Sequence, residues 1–511
     1  MVWRSHSQGR TVLVRVDGTT DPLMADVADA VATATGGSVQ HLDIPTDRLP
    51  RRLSRSDRWL RDAFAATPGP LIASWRVARQ LERRTRAGDV VVLPDTDGHA
   101  GMFAVEQRMR SPGDRRHVVI GAGHSLVLEL AAIGPVTGRL PDDDEYRIDW
   151  ELAAYRFAEL VVACSPAAMA ALEQFGCASQ LVVPAAQPPR SPSRTGGWPL
   201  RVRIPEPVSR RARTPQILRA LTGLLARGTP IAVAISDDDR PDRVWTGTSW
   251  DALAGVRAVL GETITRTAVS EPGDVVIVGD PFLPPPDEVV HHRDRGARVL
   301  AAEGSVAASM WPDAETWTNE DDLERLLGGD TAPPGREPAP DRRGHLAPPV
   351  AAWDAERASQ VSVAVPVFRD VRFLDECLSS VLGQDQVPHE VILVDDGSGS
   401  AEVDRCLDRW REREPELVRI LRQPNRGVSA ARNLALEHMT GDAFVFIDQD
   451  DELRPTFLSR CAEALRANPD VTAVATWTEF FGAYAGVEAK PPFDARVGMR
   501  ENPIVSTCVL V

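Results

Sequence analysis

The chain has 511 residues and a formal net charge of −15. That is too long for one core and acidic enough to repel duplex nucleic acid or a broad anionic bilayer, so about three domains and no nucleic-acid partner are expected. Six cysteines, at 164, 177, 377, 406, 461 and 508, have neither metal-ligand nor disulfide-framework spacing, which fits reduced thiols that mostly fill cores.

The opening MVWRSHSQGR lacks the apolar run of a secretory signal, and a cytoplasmic protein is expected. Apolar runs follow at VLVRV 12–16, VVVLP 90–94, HVVIG 117–121 and LVVAC 160–164. Helix-like stretches separate them, the rhythm of a parallel α/β sheet. The one candidate membrane span, 117–136, carries His117, His124 and Glu129 and reads as a strand followed by a helix. In DRLPRRLSRSDRWLRDAF, 47–64, Arg51, Arg55 and Arg58 recur near helical spacing. They form a solvated basic face or, alternatively, a grip for a polyanionic acceptor or a lipid-phosphate surface. His117, His124, His291 and His292 show no metal-ligand pattern.

Two proline-rich stretches, QPPRSPSRTGGWP at 187–199 and TAPPGREPAPDRRGHLAPP at 331–349, suit neither helix interiors nor central strands. They set expected boundaries: a Rossmann-like lobe at 1–186, a linker at 187–199, a second lobe at 200–330, a linker at 331–357 and a third domain at 358–511. The second lobe repeats the strand rhythm with RVRI at 201–204, PIAVAIS at 230–236 and DVVIVGD at 274–280.

The third domain has strand-like runs at VSVAVPVF 361–368, EVILVDD 390–396, LVRIL 417–421 and AFVFID 443–448. Phe373, Leu374, Cys377, Leu378, Val381 and Leu382 give one helix an apolar stripe, and a second helix is expected over 428–439. Such alternation forces crossovers and a doubly wound sheet, whose ligand crevice lies at the carboxyl ends of its strands. The acidic turns fall there. In an extended backbone residues two apart share a side, so Asp448 and Asp450 of FVFIDQDDEL can meet one hard cation, Mg²⁺ or Mn²⁺, while Asp451 faces elsewhere. In VDDGS, Asp395 and Asp396 can accept from a nucleobase N–H or a ribose hydroxyl. Taken alone, each acidic turn also reads as an ordinary strand-to-turn junction. Their order along one sheet, with NRGVSAARN between them, gives the site reading.

These residues, VSVAVPVF, LDECLSSVLGQ, EVILVDDGS, NRGVSAARNLAL and GDAFVFIDQDDELRP, resemble glycosyltransferase family 2, the nucleotide-sugar transferases of GT-A fold, over 360–511. The resemblance implies that Pro366 and Phe368 line a nucleotide pocket, with Phe368 against the base. Asp396 bonds the base, and Asp395 either assists or holds the loop. It also implies that Arg432 and Asn433 shape the donor pocket, Arg432 meeting the diphosphate. Asp448 meets the ribose and the metal site, Asp450 holds the cation, and Asp451 assists. The partners implied are a nucleotide-diphosphate sugar and a glycan or glycolipid acceptor, with peripheral contact at the inner membrane face. The family's general base lies farther beyond the DxD than Val511, so the chain is expected to stop in mid-domain, and a catalytic base is unassigned. Glu479, Glu488 and Asp494 are within reach but sit in no family motif. An apolar ending, NPIVSTCVLV, is expected to leave unpaired sheet edges.

Residues 147–185 and GARVLAAEGS at 296–305 resemble, more faintly, a GT-B transferase of family 4. The chain lacks that family's glycine-rich donor loop and paired glutamates, which implies a degenerate, non-catalytic region able to orient an acceptor or partner. The expected fold class is therefore multidomain α/β: two Rossmann-like lobes, then a GT-A domain. A non-catalytic nucleotide-sugar-binding scaffold is the alternative function. A phosphatase of haloacid-dehalogenase type is disfavoured, because its DxD opens the domain, whereas here three strands precede it.

Overall fold

The computed structural model of the chain describes residues 10–18, 22–46, 69–133, 142–163, 165–181, 200–204, 213–235, 264–266, 275–281, 287–294, 296–311, 314–328, 354–469, 471–482, 486–489, 492 and 508–510. The basic stretch 47–64, the linker stretches 187–199 and 331–349, Cys164, Asp494 and the His291 side chain lie outside them. The chain divides into two compact units, one gathering chiefly the residues up to 349 and the other those from 350 onward.

The first unit holds two six-stranded sheets in succession. Strands β1 (Thr11–Val16), β2 (Val39–Ile44), β3 (Val90–Pro94), β4 (His117–Ala122), β5 (Leu160–Ala163) and β6 (Gln180–Leu181) lie in the order β2-β1-β3-β4-β5-β6, all parallel. Around them run α1 (Pro22–Thr35), α2 (Gly69–Arg84), α3 (Gly101–Arg108), α4 (Leu126–Ile133), α5 (Asp142–Phe157) and α6 (Pro166–Gln174). Every residue of β3 is buried, as a strand covered on both faces requires. The candidate span at 117–136 resolves into β4 and α4. Among the described residues no helix is long and apolar enough to cross a membrane.

The second sheet takes β7 (Leu200–Ile204), β8 (Ile231–Ile235), β9 (Ile264–Arg266), β10 (Val275–Val278), β11 (Arg298–Ala302) and β12 (Glu315–Trp317) in the order β12-β11-β10-β7-β8-β9, again all parallel. Its helices are α7 (Thr214–Ala226), α8 (Asp287–Asp294), α9 (Val306–Met310) and α10 (Glu320–Leu327). Val306 of α9 belongs to the same apolar cluster as Leu13, Val92 and Val162 of the first sheet. The Ser165 hydroxyl, which caps α6, also donates to the Pro281 carbonyl at 2.8 Å.

The second unit carries β13 (Val361–Val367), α11 (Leu374–Leu382), β14 (Glu390–Asp395), α12 (Ala401–Arg413), β15 (Val418–Arg422), α13 (Val428–Leu436), β16 (Ala443–Phe446), α14 (Phe457–Ala467), β17 (Ala473–Ala475), β18 (Thr478–Phe480), β19 (Gly486–Glu488) and β20 (Cys508–Leu510). The sheet order is β15-β14-β13-β16-β20-β17, with the first four strands parallel. Side-chain alternation along β13 divides its contacts. Val363 and Val365 join Leu378, Leu407 and Leu458 in one core, while Ala364 joins Ile392, Ala431 and Ala435 in another. Ala431 and Ala435 let α13 lie close against Ala364, Ile392 and Val394 of the strands, and this is the packing reason for those alanines of VSAARNLAL.

The structure corrects three expectations. Helix α13 stops at Leu436 rather than 439, because the Thr440 amide turns to the Glu390 carboxylate at 2.6 Å. Strand β16 ends at Phe446, so Asp448 and Asp450 stand on a turn and not on extended backbone. Strand β20 is no open edge: it pairs antiparallel with Phe444–Val445 on one side and with Ala473–Ala475 on the other. The cysteines Cys177, Cys377, Cys406 and Cys461 are free and buried, in keeping with core thiols.

Candidate functional site

The carboxyl ends of β14, β13 and β16 lie side by side, and β13 is where the order of the sheet reverses. In doubly wound sheets the ligand crevice lies at such a switch point, outside the carboxyl ends of the strands. The residues predicted for the donor and metal sites, from Pro366 to Asp451, all lie among the described residues.

Pro366 and Phe368 end β13 half-buried. The Arg369 guanidinium stands 4.6 Å from the Phe368 ring centroid. Arg369 itself has φ +60°, a left-handed conformation unusual for a side-chain-bearing residue. Its amide donates to the Ser398 hydroxyl at 2.9 Å, and the Ser398 amide donates to Asp395 at 3.0 Å. Asp395 therefore closes the DGS turn.

Asp396 is 4 % exposed. Its Oδ1 accepts from Gln423 Nε2 at 2.7 Å and from the Arg426 amide at 2.8 Å, and its Oδ2 accepts from the Gly427 amide at 2.8 Å. Burial alone would push this carboxyl upward, but the three donors outweigh it and hold the group below the usual aspartate range. Asp396 thus anchors the loop that starts α13. Gly397 has φ +71°, and a Cβ there would lie 2.5 Å from the Asn425 amide nitrogen. Only glycine fits both the turn and that approach.

From α13, Arg432 reaches Asp448 with Nη2–Oδ1 2.6 Å and lies 5.8 Å from the Phe446 ring. Asn433 is exposed on the same helix. The Asp451 amide donates to the Asp448 carbonyl at 3.0 Å, closing the acidic turn. Asp450 and Asp451 are exposed, and Asp451 is raised above the usual carboxylate range by partial burial and by the charges of Asp448 and Asp450. Beneath the turn, burial and the surrounding carboxylates push the Cys377 thiol up to about 12, with Sγ 3.6 Å from the Asp448 carbonyl. Among the described residues no three His, Cys, Asp or Glu side chains gather as a metal cage, so Asp448, Asp450 and Asp451 do not form one. What stands on the rim is a pair of exposed, mutually repelling carboxylates, which a hard dication completed by diphosphate oxygens and water would relieve. The donor set fits such an ion.

Two site residues escaped the sequence reading. Gln423 braces Asp396, and Gln449, between the two DxD aspartates, pairs with both main-chain groups of Phe368. Neither belongs to a periodic or acidic pattern. Of the possible bases, Glu479 pairs with Arg454, and Glu488 is half-buried on β19.

Residues 362–499 match the family model for Glycosyl transferase family 2. Over 98 residues the chain is 35% identical to an uncharacterized glycosyltransferase, YibD, of Escherichia coli K12, covering 19% of this chain and 28% of that one. It is 33% identical over 99 residues to the glycosyltransferase GlyA of Streptococcus pneumoniae, covering 19% of this chain and 14% of that one. It is 29% identical over 121 residues to an E. coli UDP-Gal:alpha-D-GlcNAc-diphosphoundecaprenol beta-1,3-galactosyltransferase, covering 24% of this chain and 44% of that one. The chain thus spans less than half the length of each of these relatives. Among solved structures, a Pyrobaculum calidifontis mannosyltransferase in complex with GDP-Man and Mn²⁺ aligns at 29% identity and TM-score 0.22, over 25% of this chain and 39% of that one. The lipopolysaccharide outer core galactosyltransferase WaaB aligns at 10% identity and TM-score 0.39, over 63% and 91%. At those scores neither alignment adds to the topology. The family model thus matches residues 362–499, and the named relatives are themselves glycosyltransferases, so this segment is similar to glycosyl transferase family 2.

Proposed function

We propose that this domain transfers a sugar from a nucleotide-diphosphate sugar to a hydroxyl acceptor, with a divalent cation and by inverting displacement. The observation that carries the reading is the placement of Asp396 and of the 448–451 turn at the carboxyl ends of the strands on either side of β13, the switch point of the sheet. Pro366 and Phe368 line the base side, with Asp395 and Asp396 holding the loop beside it. Asn433 and Arg432 shape the phosphate side. Arg432, already paired with Asp448, is long enough and forked enough to share its donors with a phosphate oxygen. Asp450 holds the cation, with Asp448 and Asp451 in support. When bound, Mn²⁺ or Mg²⁺ neutralises charge on the departing diphosphate.

The acceptor is proposed to be a cell-surface glycan or a glycolipid precursor reached from the cytoplasmic face. The galactosyltransferase relative, whose name specifies a UDP-sugar donor and a diphosphoundecaprenol-linked acceptor, supports this. Titration of UDP and GDP with and without Mn²⁺ tests the donor site. Metal-dependent binding is expected, falling by roughly tenfold or more in Asp450→Ala with the loss of a charge-assisted ligand. Unchanged affinity in that variant overturns the proposal. A second reading, donor binding without transfer, is favoured by the engagement of Glu479 with Arg454, and turnover across an acceptor panel separates the two.

A further inference from the structure

The residue between the DxD aspartates makes contacts unlike either neighbour. Gln449 Oε1 accepts from the Phe368 amide at 2.9 Å, while Gln449 Nε2 donates toward the Phe368 carbonyl at 3.4 Å. A side-chain amide in this pose imitates the next rung of a strand ladder. The ladder between β13 and β16 ends just before it. Regular pairing runs to Ala364↔Phe446, and the last main-chain bond is from the Ile447 amide to the Ala364 carbonyl at 3.0 Å. Beyond that point main-chain pairing between the two chains stops, and Gln449 joins them through its side chain.

The other side of Phe368 is fixed by different means. Arg369 is held at positive φ by Ser398, which Asp395 holds in turn, and its guanidinium lies on the Phe368 ring. A continuous chain of contacts therefore runs from the 395–398 turn through Phe368 to the acidic turn at 448–451. Among the described hydrogen bonds of Phe368, those with Gln449 are the ones that reach the acidic turn.

We propose that Gln449 is a positioning residue: it holds the main chain of Phe368 and so sets the base side of the donor site relative to the acidic turn. This rests on the donor-site reading above. Glutamine suits the task because it offers one acceptor and one donor in a single plane, whereas a carboxylate could accept from the amide but could not donate to the carbonyl. Losing the tie removes the partner of the Phe368 amide and its link to the acidic turn, although the Phe368 carbonyl still accepts from the Asp370 amide at 2.7 Å, without removing a phosphate or cation ligand.

Two measurements on the full chain test the role. In Gln449→Met, which keeps length but removes both hydrogen-bonding groups, hydrogen exchange of the Phe368 amide is expected to accelerate about tenfold or more, as for loss of one buried bond. In the same variant the affinity for whichever of UDP and GDP the wild type binds is expected to fall about tenfold, while Mn²⁺–pyrophosphate binding stays within about twofold. Unchanged exchange overturns the proposal, and so does an equal loss of nucleotide and pyrophosphate binding, which would make Gln449 a general support of the acidic turn. Wild-type protein that binds neither UDP nor GDP, with or without Mn²⁺, sinks the donor-site reading itself, and the positioning role with it.

Discussion

Asp396 shows how the turn that holds a carboxylate can be read from the sequence while the partners of that carboxylate cannot. An aspartate after an apolar run and before glycine announces a turn at a strand end, and the turn is there, with Gly397 at φ +71°. The sequence could not announce that its two oxygens face the Gln423 side chain and the Arg426 and Gly427 amides, because those partners arrive after a whole helix and strand. Replacing Asp396 by Ala leaves the three donors without this acceptor in a site that is 4 % exposed. A loss of roughly 1–3 kcal/mol in the stability of the second unit is expected. The same contacts give the group a pH signature. Its folded pKa lies below the ordinary aspartate value of 3.8, so its contribution is fully present above that value and is lost as pH falls through the folded one. Thermal melts between about pH 5 and pH 2 should therefore fall less steeply in Asp396→Asn than in the parent; equal slopes would show that Asp396 does not carry this linkage.

Elements were legible where the chain is apolar and monotonous, and illegible where polar residues do the joining. The runs at 90–94, 117–121 and 361–368 became β3, β4 and β13 nearly to the residue, since strands buried on both faces need continuous hydrophobes. Strand β2, VQHLDI, was missed because at the sheet edge its residues alternate among exposed, half-buried and buried. The start of α4 was equally opaque. Ser125 caps it by accepting from the Leu128 amide at 3.2 Å, and Asp95 takes the Gly123 and His124 amides at 2.8 and 2.9 Å. From α5, Glu151 Oε2 accepts from the Val127 amide at 3.0 Å. The end of a helix that would attract an outside anion is thus served by the protein's own carboxyls. Glu151 is wholly buried, its Oε1 has no hydrogen-bond partner among the described residues, and burial together with Asp95 and Asp97 raises its pKa well above 4.5. A raised carboxyl stabilises most below the unfolded value and withdraws that stability as pH climbs toward the folded one. Glu151→Gln, which cannot ionise, is expected to melt higher than the parent at neutral pH and to lose the decline on the alkaline side of about pH 4.5. Parallel melting curves for the two proteins between about pH 5 and pH 8 would rule out a buried neutral acid.

On the scale of the whole molecule, the apolar clusters among the described residues each fall within one unit. Those built on Val363, Leu378 and Ala431 draw only on residues from 358 onward, and those built on Leu13, Val92, Ile217 and Leu300 draw only on residues before 328. Within the first unit the two sheets share Val306 and the Ser165–Pro281 bond, so they are expected to melt together. With two compact units a single two-state description does not apply, and calorimetry should resolve one transition for each unit. Ligand linkage then assigns them. A nucleotide and Mn²⁺ held at about a hundred times the dissociation constant stabilise the folded site by about 2.7 kcal/mol. For a domain of this size that corresponds to a rise of roughly 5–10 °C. Because the proposed donor contacts all come from residues of the second unit, only its transition should move, and Asp450→Ala should abolish the movement. A comparable rise in both transitions would mean that nucleotide also engages the first unit, and would overturn the assignment of donor binding to residues 362–499 alone.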